Sequence, residues 1–264
     1  MLLVLDIGNT TITAGVYRDD QLMGPWRLGT RHERSSDEYG LILRGLLSGG
    51  GITTDRIQGM AVCCVVPQVR AAIDEMARQI FAVTPLFIEP GIKTGLPILT
   101  DNPQEVGADR IVTAVAAYAR HGGPTIVVDF GTATTFDAIS ARGEYLGGAI
   151  APGIGIGAEA LFQRTAKLPR VELTCPRHVI GRNTVASIQS GLLNGYAALV
   201  EGLVKRMGLE LAPPAGKGVK VIATGGHAAA LAEPCSVLNT IEPDLTLAGL
   251  RLLWNRNRPE AMRC

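Results

Sequence analysis

"VLDIGNTTITAGVY", residues 4–17, decides the fold. Its apolar start reaches Asp6, passes Gly8, Asn9 and Thr10, and resumes as a second apolar-rich stretch ending at Tyr17. An acid, a glycine, an amide and hydroxyls therefore sit where a buried strand must turn. A hairpin alone accounts for Gly8 and Asn9, because both residue types tolerate the positive φ of tight turns. The stretch "VVDFGTATTFDAIS", residues 127–140, repeats the order: apolar residues, Asp129, an apolar residue, Gly131, a polar residue, then threonine. Asp129 lies 123 positions after Asp6. A turn requirement explains one such stretch and not two of the same composition. The repeat predicts two related domains, its period being far too long for a solenoid.

Outward from the first turn, "LLVLDI", "TITAGVY" and "QLMGPWRLGT" read as three strands, followed by a helix around "SDEYGLILRGLL" with Ser36 or Asp37 placed to cap it. "IQGMAVCCVV" is a near-continuous apolar run, expected of a strand covered on both faces, and Pro67 opens the next helix at a position proline favours. "TPLFIE" is a further strand. Residues 89–107 are rich in Gly, Pro and Asn and read as a long loop of the kind that often carries function. "ADRIVTAVAAYARHG" is an amphipathic helix that closes the first half. The second half repeats the strands, then carries a helix near "GIGAEALFQRTA", a long one from about Asn183 to Met207, the strand "KVIATGG" and two closing helices. Leu245, Leu247, Leu250 and Leu253 stripe the last helix as core or dimer surface. The expectation is an α/β protein divided at residues 1–118 and 119–264.

Composition excludes several functions. With 19% charged residues, a net charge of +1 and its Lys and Arg scattered, the chain has no basic stripe for nucleic acid or an anionic membrane. The opening residues lack the basic flank and long apolar run of a signal peptide, so the reading is cytoplasmic. Five cysteines without a CxxC pair fit reduced thiols, and four histidines without ligand spacing offer no zinc site.

Two Gly-rich turns with adjacent hydroxyls expose backbone N–H groups to an anion, so each can hold part of a polyphosphate. Asp6 and Asp129 then sit where a cation would lie beside phosphates, and oxygen ligands suit Mg²⁺. Neither GxxxxGK[ST] nor a strand-borne GxGxxG is present; "GIGIG", residues 153–157, lacks that context. Asp109 and Arg110 open the crossing helix. Asp109 there either complements the helix dipole or serves as a general base for a substrate hydroxyl, with Arg110 a fork for a substrate carboxylate. Gly225 and Gly226 end a strand either as a plain turn or as a place where a flat ring meets backbone. Thr184 is a helix cap or a ligand donor.

In order along the chain, "DIGNT" (6–10), "DNPQEVGADRIV" (101–112), "DFGTATTFD" (129–137), "GGAIAPGI" (147–154), "RNTVASIQSG" (182–191) and "ATGG" (223–226) resemble the type III pantothenate kinases, within the acetate and sugar kinase, Hsc70 and actin superfamily. The resemblance implies a duplicated ribonuclease-H-like fold, two facing domains with a central cleft for ATP, and phosphorylation of pantothenate on its terminal hydroxyl to open coenzyme A synthesis. It implies phosphate contacts from Asp6, Gly8, Asn9 and Thr10, from Gly131, Thr132 and Thr134, and nucleotide contacts from Gly225 and Gly226. It makes Asp109 the catalytic base and assigns pantothenate contacts to Thr100, Gly107, Asp109, Arg110 and Thr184. Thr100 stands where many members carry tyrosine. Asp129 would bind a monovalent cation, K⁺ or NH₄⁺, Asp6 would bind Mg²⁺ directly or through water, and the protein would be a homodimer. Two other readings are a kinase of another small molecule and a non-catalytic nucleotide-binding regulator of the accessory transcription factor type.

Overall fold

The computed structural model describes residues 1–211 and 218–258. Its elements are β1 (Leu2–Ile7), β2 (Thr11–Arg18), β3 (Gln21–Gly29), α1 (Ser36–Gly49), β4 (Gly59–Cys64), α2 (Pro67–Phe81), β5 (Leu86–Phe87) and α3 (Ala108–His121). There follow β6 (Thr125–Phe130), β7 (Ala133–Ile139), β8 (Tyr145–Pro152), α4 (Ile154–Arg164), α5 (Thr184–Leu211), β9 (Lys220–Thr224), α6 (Ala228–Ala232), β10 (Thr240–Ile241) and α7 (Leu245–Asn257). The first sheet runs β3-β2-β1-β4-β5 and the second β8-β7-β6-β9-β10. In each, the first three strands are antiparallel neighbours and the last two join in parallel. The duplication read from the two turns is thus a duplication of the whole sheet.

The ladders refine the repeat. Asp6 stands opposite Thr13 and Asp129 opposite Thr135, so the offset of 123 that relates β1 to β6 falls by one after the turns. The first turn is one residue longer.

Two compact units result: Met1–Gly95 with Asn102–Ala116 and the chain from Asp244 on, and Leu96–Asp101 with Ala117–Pro243. The first unit therefore owns α7, which a division at 118/119 leaves with the second. Its sheet buries Leu3, Leu5 and Ile7 against Tyr39, Leu43 and Leu47 of α1 and Val69, Ile73 and Met76 of α2. The opposite face takes α7, whose Leu245, Leu247, Leu250 and Leu253 are all buried. Glycine makes that approach close: a Cβ at Gly59 would collide with the Trp254 ring, and one at Gly15 would come within 3.0 Å of Leu247. The leucine stripe is core.

Local signals behave as physics requires, with small shifts. Ser35, one residue before the expected caps, caps α1, because only there can Glu38 close a capping box: its carboxylate accepts from the Ser35 N–H at 2.8 Å, and the Glu38 N–H donates to the Ser35 hydroxyl at 3.3 Å. Pro67 opens α2 as expected. The helix expected near "GIGAEALFQRTA", residues 155–166, spans Ile154–Arg164, and β10 was not foreseen. Among the described residues no helix is long and apolar enough to cross a membrane, Cys63, Cys64, Cys175 and Cys235 are free thiols, and Cys264 lies outside the described residues.

Gly249 of α7 lies against the Val112 backbone carbonyl of α3, where a Cβ has no room, whereas Gly45 of α1 faces open space. Gly249→Ala should lower stability by about 1–3 kcal/mol through overpacking, and Gly45→Ala should raise it by about 0.5–1 kcal/mol. Denaturant unfolding of the two variants checks the opposite signs.

Candidate functional site

In the first unit, β1 is paired on both sides, so its polar groups can reach solvent only at its end. Asp6 sits there, half-buried, beside Thr13 of β2 and Cys63 of β4. The turn that follows is held at two levels. The Gly8 N–H donates to the Thr11 carbonyl at 3.0 Å, and Thr30, just past β3, donates its hydroxyl to the Gly8 carbonyl at 2.7 Å and its N–H to the Thr10 carbonyl at 3.0 Å. Asn9 and Thr10 are left exposed at the tip. Thr30 was not among the sequence candidates, because a residue that pins a turn from the far end of a third strand carries no local signal.

Asp109 lies in the first turn of α3, where it also complements the helix dipole. Its Oδ1 accepts from the Arg110 N–H at 2.8 Å. A Cβ at Gly107 would stand 2.6 Å from that oxygen, so glycine there makes room for the carboxylate. The Thr113 hydroxyl donates back to the Asp109 and Arg110 carbonyls and ties the turn internally.

Cys63 relates the two acids. Burial pushes its thiol well above the ordinary value of 9.0, and the carboxylates of Asp6 and then Asp109 push it further. Both acids are therefore within electrostatic reach of one buried sulfur in the first unit. Sequence reading had Cys63 as a buried or inert thiol, and it is buried; the β1–β4 register sets it beside Asp6.

The second unit repeats the design at the ends of β6 and β9. Asp129 is half-buried opposite Thr135 and beside Thr224. The Gly131 N–H donates to the Ala133 carbonyl at 3.0 Å, matching the Gly8 bond of the first turn. Gly153 takes the bracing role of Thr30: its N–H donates to the Thr132 carbonyl at 3.1 Å, and no side chain fits between them. Gly131 and Thr132 are exposed at the tip, while Thr134 is fully buried with a hydroxyl that meets no partner. Gly225, at φ +91°, lays its backbone against the Asp129 carboxylate and Phe130, where any Cβ would collide. Gly226 next to it is exposed.

Two candidates stand elsewhere in this unit. Thr100 follows a segment that pairs with Tyr145 at the start of β8, and its hydroxyl is buried without a partner. Thr184 is the first residue of α5 and is exposed, but it is not the cap. Asn183 is, its side-chain oxygen accepting from the Ala186 N–H at 2.8 Å. Thr184 instead lines an open cavity of about 740 Å³ with Leu161, Arg182, Asn183 and Ile188. Among the described residues no three His, Cys, Asp or Glu side chains converge to hold a metal alone. Single carboxylates remain, the arrangement Mg²⁺ uses when phosphate and water complete its shell.

Because the Cys63 thiol is protonated far above pH 9.0 in the native state and ionises near it when unfolded, its contribution to stability is full below that pH and is lost as pH climbs toward the native value. Thermal unfolding between pH 7 and 10 should show an alkaline decline that Cys63→Ala reduces, about 1.4 kcal/mol for each pH unit the shift spans.

The family described as type III pantothenate kinase matches residues 2–206. A type III pantothenate kinase from Myxococcus xanthus is 51% identical over 97% of this chain and 99% of its own length. Another from Moorella thermoacetica is 51% identical over 97% and 100%. A solved structure of the activator of 2-hydroxyisocaproyl-CoA dehydratase from Clostridium difficile, with bound ADPNP, superposes with a TM-score of 0.52 at 12% identity, covering 96% of this chain and 93% of that one, and shares the fold. With the paired sheets, the repeated acid-bearing turns and a family match over most of its length, the chain belongs to the type III pantothenate kinases.

Proposed function

We propose that this protein transfers the γ-phosphoryl group of ATP to the terminal hydroxyl of pantothenate, the opening reaction of coenzyme A synthesis. The observation that carries the reading is the twice-built turn, an acid at a strand end followed by a glycine-braced tip, together with Asp109 within reach of the sulfur that also feels Asp6. Exposed donors at Asn9, Thr10, Gly131 and Thr132 suit the phosphates of ATP, and the Gly225–Gly226 backbone suits its nucleoside.

Pantothenate offers a carboxylate and a primary alcohol. Asp109 accepts the alcohol proton as the hydroxyl oxygen attacks phosphorus, and Arg110 presents its planar fork to the carboxylate. Thr100, Gly107 and Thr184 complete the acceptor contacts. Mg²⁺ would be held by Asp6 and a monovalent cation, K⁺ or NH₄⁺, by Asp129; both would supply positive charge to offset that of the phosphates. The chain's own residues position and proton-manage the transfer, the terms that dominate phosphoryl chemistry. The protein works as a homodimer in the cytoplasm, without nucleic acid or membrane. The exposed apolar side chains Ile156, Phe162, Val179, Ile180 and Val185 around α4 and the start of α5 support a covered face.

ADP release from ATP and Mg²⁺ should require pantothenate, exceed that with other small acceptor alcohols, and rise in K⁺ relative to Na⁺. Asp109→Asn should lose about a hundredfold or more in turnover, the scale of a lost general base, while ATP binding persists. Near-normal turnover in that variant would remove Asp109 from the role, and nucleotide binding without turnover of any acceptor would favour a regulator. Gel filtration with light scattering checks the dimer.

A further inference from the structure

The second sheet buries a carboxylate that the phosphate turns do not use. Asp137 of β7 is fully buried. Its Oδ1 accepts from the Tyr145 hydroxyl at 2.7 Å, and its Oδ2 accepts from the Thr135 hydroxyl at 3.4 Å. A buried ionised group costs heavily unless hydrogen-bonded, so a carboxylate here needs a reason beyond packing. Thr135 and Tyr145 lead in opposite directions. Thr135 is the residue directly opposite Asp129, and side chains opposite each other in an antiparallel pair share a face. Tyr145 leads to the acceptor segment: its N–H donates to the Pro97 carbonyl and its carbonyl accepts from the Leu99 N–H, both at 2.8 Å. The next residue is Thr100, whose buried hydroxyl has no partner and whose Cγ2 lies 3.6 Å from where a Cβ at Gly147 would be. One carboxylate therefore orders a hydroxyl beside the first acid of the second unit and braces the segment carrying Thr100.

The proton bookkeeping gives this arrangement a direction. The Thr135 hydroxyl gives its single proton to the Asp137 carboxylate. The lone pairs of the Thr135 oxygen then point away from Asp137, on the face it shares with Asp129, where they can face a cation. The Asp129 carboxylate and the Thr135 hydroxyl opposite it offer oxygen donors of the kind that suit a hard monovalent ion.

We propose that Asp137 is a positioning residue that sets the cation affinity at Asp129 and couples it to the acceptor segment through Tyr145 and Thr100. The inference rests on the kinase reading above. With Asn at position 137, the side-chain oxygen still accepts from Tyr145, but the amide donates to Thr135. The Thr135 hydroxyl proton must then turn toward the cation and oppose it.

Two variants test the proposal, Asp137→Asn and Tyr145→Phe, with cation binding read from the K⁺-dependent shift of the unfolding temperature against Na⁺ controls. Both should need about five- to tenfold more K⁺ for half the shift and half-activation, the effect of one hydrogen bond. The KM for pantothenate should rise with them, while the KM for ATP at saturating K⁺ moves less than about twofold. Should Asp137→Asn fail to fold, Tyr145→Phe, which removes one oxygen, decides. Variants that keep the wild-type K⁺ requirement, or that raise both KM values equally, overturn the role of Asp137 and leave the kinase reading standing. A wild type with neither a K⁺ shift nor pantothenate turnover overturns both.

Discussion

A strand covered on both faces can place a carboxylate near solvent only where it ends, and everything about the site follows from that constraint. β1 and β6 are the central strands of their sheets, buried from Leu2 to Leu5 and from Thr125 to Val128. An ionised group farther back would need dedicated partners, as Asp137 does with Tyr145 and Thr135. Asp6 and Asp129 avoid that cost by standing one residue before the strand end, with a glycine two residues on to start the turn. The turn is then stiffened from outside, by Thr30 in one unit and Gly153 in the other. The phosphate role proposed for these turns would draw on that stiffness, since N–H groups that must be gathered at the moment of binding lose much of their value to ordering.

The two copies reach the same end by different means. The first has an extra tip residue and a side chain as brace; the second is shorter and braced by backbone packed on backbone. What duplication preserved is the acid at the strand end and the bond from the glycine N–H, the two features that bear on charge. The bracing was free to diverge, because any group that fixes the carbonyls of the tip serves.

How much was legible in the sequence follows from the range of each signal. The strand–acid–glycine pattern is local and occurs twice, so the fold class, both turns and Asp6 with Asp129 could be read directly. Asp109 was legible as the first-turn acid of an amphipathic helix, while its reach to Cys63, which the β1–β4 register sets beside Asp6, depends on how α3 packs and has no local signal. Thr30 and Gly153 act on turns far along the chain, and neither lies in a repeating pattern. "GIGIG" looked like a phosphate loop out of context; its first glycine supports one. The stripe of α7 announced an apolar partner without naming it, since periodicity says which side of a helix is buried and nothing about where. The cap at Ser35 was missed by one residue because three consecutive polar residues, Ser35, Ser36 and Asp37, all qualify until Glu38 selects among them.

The placement of α7 bears on how the protein is made. The first sheet, complete in strands by residue 87, keeps one face uncovered until residues 245–257 leave the ribosome. The gaps at Gly15 and Gly59 wait for Leu247 and Trp254. Everything in the second unit is synthesised in the interval, so it can fold before the unit that precedes it. The nascent chain thus holds an apolar surface open while the whole of the second unit is made, and the end of the first unit that carries Asp6 and Asp109 gains its α7 support only afterwards.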